Sequence, residues 1–262
     1  MIDWQAGRGV LSAEGKRLEW ASWGVPRDRP VIVLLHEGLG CVALWREFPR
    51  ALAEVTGCAV FAYSRAGYGQ SDSCDLPRPL DYMTHEAVEV LPEVLDVLGA
   101  EPVVLMGHSD GATIAAEYAG RVGDARVEGV VLMAPHFFAE DEGLTEIARA
   151  REAFETTDLR EKLGRYHSDV EAAFDGWNGA WLDPGFREWN VEEALDGVRV
   201  PVLVIQGHGD QYGTLAQVAA VTERLVEARA LVLDECRHAP QFDQPEVVLD
   251  AVAEFVEGFA GK

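Results

Sequence analysis

A chain of 262 residues, 48% hydrophobic and 26% charged, is long enough for one large core and has neither the composition of a disordered chain nor that of a fibrous one. Its formal net charge of -23 repels phosphate backbones and anionic bilayers, so nucleic acid and membrane surfaces are excluded as partners and a small-molecule substrate is expected. The acidic residues are spread along the chain, which makes them a solvated surface rather than a binding tail.

The first residues, "MIDWQAGRGVL", have neither a basic segment nor an apolar run, so no signal peptide is expected. "KRLEWASWG" (16–24) alternates apolar and polar positions and predicts a half-buried antiparallel strand; after the charged turn "VPRDRP", "VIVLLHEG" predicts a buried one. "LWREFPRALAEV" (44–55) has helical spacing, "CAVFAYSRAGYG" (58–69) returns to strand, and "THEAVEVLPEVLDVLG" (84–99) predicts an amphipathic helix ending at Gly99 and kinked at Pro92. "PVVLMG", "VEGVVLMAP", "VPVLVIQG" and "ARALVLDE" are further strands, with helical segments between and after them. The fold class is α/β, a parallel wound sheet with functional loops at the carboxyl ends of its strands. One segment breaks the rhythm. Residues 136–195 are helical and aromatic with no convincing strand, so the expected organisation is a core of 1–135 and 196–262 with a helical cap inserted over the strand ends. Phe137, Trp177 and Trp181 of that insertion are expected to face a pocket beneath it.

No apolar run approaches the ~20 residues a bilayer requires, and a cytoplasmic location is expected. Cys41, Cys58, Cys74 and Cys236 include no C-x-x-C pair, which fits reduced thiols and neither a disulfide framework nor a metal site. No cofactor is expected. Homo-oligomerisation is left open.

The chemistry centres on Gly107-His108-Ser109-Asp110-Gly111, a G-x-S-x-G pattern that follows a strand and opens a helix. A sharp strand-to-helix turn holds such a serine exposed, its glycines make room for the backbone, and the helix N-terminus favours a developing oxyanion. A serine nucleophile requires a base and an orienting acid. Asp210, after "VLVIQG", and His238, in "LVLDECRHAP", supply both in the order Ser, Asp, His; Asp234 and Glu235 are rival acids.

With "LLHEGLG" at 34–40, "YSRAGYGQSD" at 63–72, "GHSDG" at 107–111 and the Asp210 and His238 loops, nearly the whole chain resembles the α/β-hydrolase superfamily, in the branch of small bacterial esterases, enol-lactonases and carbon–carbon hydrolases. The resemblance implies a mostly parallel eight-stranded sheet with helices on both faces, a Ser109–His238–Asp210 triad, a cap, and an oxyanion hole from the Gly38 and Asp110 N–H groups. Leu39 and His108 are then expected to join the substrate pocket. Glu37 departs from the pattern, since a glycine usually follows the histidine there. Its carboxylate either turns into the site or braces the loop, and bracing is favoured. His36 and Arg65 are expected to brace loops, and a lid arginine (Arg149, Arg151 or Arg165) would suit an acidic substrate. The implied activity is hydrolysis of a small carboxylic ester or lactone through an acyl-enzyme on Ser109. Alternatives are carbon–carbon hydrolysis of a keto acid, a triad-based lyase, and a non-catalytic small-molecule receptor.

Overall fold

The apolar runs form the centre of an eight-stranded sheet in a computed structural model that describes residues 2–99 and 102–259. The strands are β1 (Arg8–Ala13), β2 (Lys16–Trp23), β3 (Val31–Leu35), β4 (Val60–Tyr63), β5 (Val103–His108), β6 (Val127–Met133), β7 (Val202–Gly207) and β8 (Arg229–Leu233). Their spatial order is β1-β2-β4-β3-β5-β6-β7-β8; β2 pairs antiparallel with β1 and β4, and every other pairing is parallel. Strands buried on both faces need not alternate, which is why "VIVLL" reads as an unbroken apolar run. Val31, Val33 and Leu35 enter one core cluster, and Ile32 and Leu34 enter the other.

Helices cover both faces. On one side α1 (Phe48–Thr56) and α10 (Pro245–Glu257) contribute Phe48, Leu52, Val248, Val252 and Phe255, with the short α9 (Pro240–Asp243) just before α10. On the other lie α2 (Tyr82–His85), α3 (Leu91–Leu98) and α4 (Asp110–Glu117). Between β6 and β7 the chain forms α5 (Asp141–Thr156), α6 (Leu159–Leu163) and α7 (Val170–Trp181); α8 (Ala216–Arg224) links β7 to β8.

Four local differences from the sequence pattern have identifiable causes. β1 is unannounced, because as an edge strand it buries only Leu11 and Ala13. The strand expected over 58–69 stops at Tyr63: Gly67 and Gly69 adopt positive φ and turn the chain out of the sheet. The helix expected over 44–55 is divided, since Arg46, at φ 54°, separates a 3₁₀ turn (Val42–Trp45) from α1. The helix around Pro92 starts at Tyr82 and absorbs the proline through a π turn at Glu86–Val90, where a missing N–H is tolerated without a break.

The reversal of strand order at β3 places β3 directly beside β5, with Leu35 opposite Gly107. Such a switch point opens a crevice at the carboxyl ends of the strands.

Candidate active site

Ser109, between β5 and α4, stands at φ 53° and ψ -120°, a conformation that costs a non-glycine residue about 1–3 kcal/mol and persists only where packing enforces it. That packing is visible at both glycines. A Cβ on Gly107 would strike the Gly111 and Ala112 backbone, and one on Gly111 would strike the Leu35 carbonyl, so the corner closes only with glycine at these positions. Ser109 N–H donates to Met133 O (2.9 Å), and the Ser109 carbonyl accepts from Ala112 (2.8 Å) and Thr113 (3.1 Å).

The loops after β7 and β8 lie side by side, joined by His208 N–H to Leu233 O (2.8 Å) and Gly209 N–H to Cys236 O (2.9 Å). They bring His238 Nδ1 to 2.9 and 3.0 Å from the two carboxylate oxygens of Asp210. The Asp210 side chain is almost fully buried, and Tyr212 N–H donates to it (2.9 Å). Burial opposes its charge, but His238 and that N–H outweigh burial and hold the carboxyl below its ordinary value. The rival Asp234 is exposed and lies against His208 (3.4 Å), away from His238.

Ser109 and His238 open onto one cavity of about 120 Å³, completed by Glu37, Gly38, Leu39, His136, Ile147, Trp177, Trp181 and Tyr212. Gly38 has no room for a side chain, because a Cβ there would overlap the Trp177 ring. Its N–H carries no hydrogen bond within the described residues. The Asp110 N–H is the first of α4 and has no preceding turn to bond to.

The loop carrying Gly38 is held from behind. His36 Nε2 accepts from Arg65 N–H (3.0 Å) and Nδ1 contacts Glu37 O (2.7 Å), a pattern that requires the neutral Nδ1–H tautomer. Burial, with Arg65 nearby, holds the His36 pKa well below its usual value. The Arg65 guanidinium donates to the carbonyls of His36 and Glu37 and lies 3.9 Å from Asp110 Oδ2. Asp110 itself accepts from Tyr82 OH, and burial raises its pKa.

Glu37 does two things at once. It forms part of the cavity wall, and its carboxylate lies 3.5 Å from His108 Nδ1. His108 Nε2 contacts His238 O (2.7 Å), so a relay from Glu37 reaches the backbone of the histidine loop. Burial disfavours charge on both partners, yet their mutual contact outweighs it: Glu37 titrates lower than usual and His108 higher. Gln241 Nε2 lies 3.0 Å from His108 Nδ1, while its buried Oε1 has no partner. Turning that amide over gives the orphaned oxygen the Nδ1–H of a charged His108.

Two residues expected in the pocket are not in its lining. His108 points behind the site into this relay. Phe137 is fully buried in the core, because the Gln217 side chain accepts its N–H (2.7 Å) and donates to Phe138 O (3.1 Å), pinning the segment to α8. The adjacent His136 faces the cavity instead, 5.6 Å from the His238 ring and 5.2 Å from Trp181 between centroids. Burial lowers the His136 pKa to about 3, with His238 adding to the effect. Tyr212, whose ring lies 4.8 Å from His238, and Ile147 complete the unexpected lining. Tyr212 sits two residues beyond Asp210 and was within reach of the sequence motif; the inward face of α5 carried no comparable signal. The arginines considered for an acidic substrate are engaged elsewhere: Arg149 with Glu146, Arg151 with Asp175 and Asn178, and Arg165 with Glu161.

Residues 32–251 match the model of a family described as the alpha/beta hydrolase family. Among curated relatives, a non-heme chloroperoxidase from Streptomyces lividans is 27% identical, the match covering 95% of this chain and 99% of that protein. A bifunctional esterase/perhydrolase from Acinetobacter calcoaceticus is 26% identical, over 77% of this chain and 82% of its own. Among solved structures, the enol-lactonase from Burkholderia xenovorans LB400 superposes with a TM-score of 0.74 at 20% identity, covering 95% of this chain and all of that one.

Proposed function

This chain belongs to the alpha/beta hydrolase family and is a hydrolase; from that premise we propose that it is a serine hydrolase cleaving a small, uncharged carboxylic ester or lactone through an acyl-enzyme on Ser109. The observation that carries this reading is a serine held at positive φ at the tip of β5, sharing one small cavity with a histidine whose far nitrogen is bonded to a buried carboxylate. Asp210 keeps the proton of His238 on Nδ1, which leaves Nε2 free to take the Ser109 proton as Oγ attacks the carbonyl carbon. The tetrahedral oxyanion is received by the Gly38 and Asp110 N–H groups, each donor being worth about 10²- to 10³-fold in rate. His238 then protonates the leaving oxygen, and a water deprotonated by the same nitrogen releases the acid.

The cavity argues for the substrate class. About 120 Å³ suits a short acyl chain, and a lining without arginine or lysine but with the Glu37 carboxylate disfavours anionic substrates. For the same reason a keto acid requiring carbon–carbon cleavage ranks second. The α5, α6 and α7 helices within 136–195 act as the cap, since Ile147, Trp177 and Trp181 form one wall of the cavity. Four free thiols accord with a cytoplasmic setting, and no helix of the described residues is long and apolar enough to cross a membrane.

The test is a p-nitrophenyl ester series from acetate to octanoate with wild type and Ser109→Ala. Turnover should peak at the short end and fall by several orders of magnitude in the variant, and a fluorophosphonate should label wild type alone. Labelling that survives in Ser109→Ala, or a preference for octanoate, would overturn the assignment of nucleophile or of pocket size.

A further inference from the structure

A second cavity, of about 440 Å³, has Tyr82 in its wall. It is within the size range of ligand sites, and larger than the catalytic cavity. Two of its lining residues are ionisable side chains withdrawn from water and left short of hydrogen-bond partners. Glu86 is 5% exposed, its side chain forms no hydrogen bond, and its Oε2 is completely buried. Arg78 is 7% exposed; its one hydrogen bond goes to Ala66 O (2.6 Å), and its Nε has no partner. The Tyr68 and Tyr82 rings hold the guanidinium, with centroids 4.9 and 5.7 Å away. No hydrogen bond or direct ion pair joins the two among the described residues, and the nearby charges of Arg65 and Arg78 only partly offset the burial that raises the Glu86 pKa. A buried carboxylate without a single hydrogen bond costs several kcal/mol unless something completes it.

The remaining charge narrows the choice. Glu14, Asp75 and Glu86 line the cavity with Lys16, Arg78 and His85, and Glu14 pairs with His85 (2.9 Å) at its edge. The two buried side chains left short of partners, Glu86 and Arg78, are one acid and one base, which suits a molecule carrying one charge of each sign. Ala13, Leu18, Pro79 and Val90 supply apolar wall beside them. We propose that this cavity is a second ligand site that binds a free α-amino acid with an apolar side chain, its ammonium group on Glu86 and its carboxylate on Arg78.

Tyr82 connects this site to the catalytic one. It lines the second cavity, while its hydroxyl donates to Asp110 and accepts from Trp181 Nε1 (3.0 Å). Occupancy therefore changes ester turnover by way of Asp110 and Trp181. That consequence rests on the active-site reading above; binding itself does not.

Binding is tested without turnover. Calorimetric titration of the full chain with L-leucine should give a millimolar or tighter dissociation constant. Isovalerate and isopentylamine, which each keep one charged end, should bind at least about tenfold more weakly. Glu86→Gln and Arg78→Lys should each weaken L-leucine by about tenfold or more, with their fold checked by circular dichroism. No heat with wild type, or equal affinity for L-leucine and either half-molecule, would overturn the proposal. Should neither variant fold, wild-type crystals soaked with L-leucine decide it: density spanning Glu86 and Arg78 supports the site, and an empty cavity refutes it. Leucine binding with unchanged ester kinetics would remove the coupling and leave the active-site reading untouched.

Discussion

At the scale of single residues, the main departure from the family pattern, Glu37, carries the most specific consequence. Its carboxylate forms part of the cavity wall, and a like charge on a substrate about 6 Å away would cost roughly 3 kcal/mol at an effective dielectric constant near 20, less once His108, water and salt offset it. Glu37→Gln should therefore raise kcat/KM for p-nitrophenyl hemisuccinate relative to p-nitrophenyl butyrate by about tenfold; an unchanged ratio would mean that His108 fully neutralises the carboxylate. His136 makes a different, pH-dependent contribution. Folding lowers its pKa from 6.5 to about 3, so between those values the unfolded chain holds a proton the folded one does not. The stability tied to its neutral form is fully present above about pH 6.5 and falls as pH drops toward 3, by about 1.4 kcal/mol per unit. Urea titrations from about pH 7 to about pH 4 should show a shallower acid limb for His136→Gln, whereas parallel limbs would mean that the ring is already charged in the folded protein. Of these residues the sequence singled out Glu37 but not His136. Phe137 drew attention as an aromatic, and only the Gln217 bonds, which join positions far apart in the chain, decide that its neighbour faces the cavity.

At the scale of elements, chain order was legible wherever a segment is buried in the sheet or packs one continuous face against it, and failed at the exposed edge strand β1. β2 and β3 carry burial patterns of period two and of unbroken burial, and α10 buries Val248, Leu249, Val252, Phe255 and Val256 along one stripe. What escaped were the π turns, because an inserted residue leaves composition unchanged. One of them, Tyr118–Val122 after α4, brings Gly120 against the 3₁₀ segment Glu192–Gly197 so closely that a Cβ on Gly120 would strike the Ala194 carbonyl, and one on Gly197 the Gly120 carbonyl. Backbone meets backbone on both sides, and no side chain is available to move aside. Gly120→Ala should cost about 2–4 kcal/mol, read as a lower urea midpoint at unchanged slope, while a surface change such as Gly179→Ala, where nothing lies within 4 Å, should cost none of this packing energy. A loss at Gly120 of less than about 1 kcal/mol would mean that the 3₁₀ segment moves freely and that its seat against α4 is soft.

At the scale of the whole molecule, the grouping of Ser109, Asp210 and His238 proposed as a triad was legible because their order maps onto the carboxyl ends of β5, β7 and β8, which the parallel topology brings to one edge. The cavity walls were not, since their shape depends on which faces α5 and α7 turn inward, and an aromatic insertion buries most of its rings whichever way it sits. A charge of -23 distributed over the surface is the other global property, and it acts on stability instead of on recognition. Folding brings the excess carboxylates closer together than they are in the unfolded chain, so self-repulsion opposes the folded state most where screening is least. The Debye length falls from about 30 Å at 0.01 M salt to about 3 Å at 1 M, which removes this repulsion while leaving buried contacts such as His238–Asp210 little affected. Tm should accordingly rise by several degrees as sodium chloride is raised across that range, and the largest part of the rise should come below about 0.2 M, before specific salt effects on apolar surface take over. A fall in Tm over the same low-salt interval would show that attractive surface pairs, such as Arg224–Asp196 and Arg229–Glu254, outweigh the net charge.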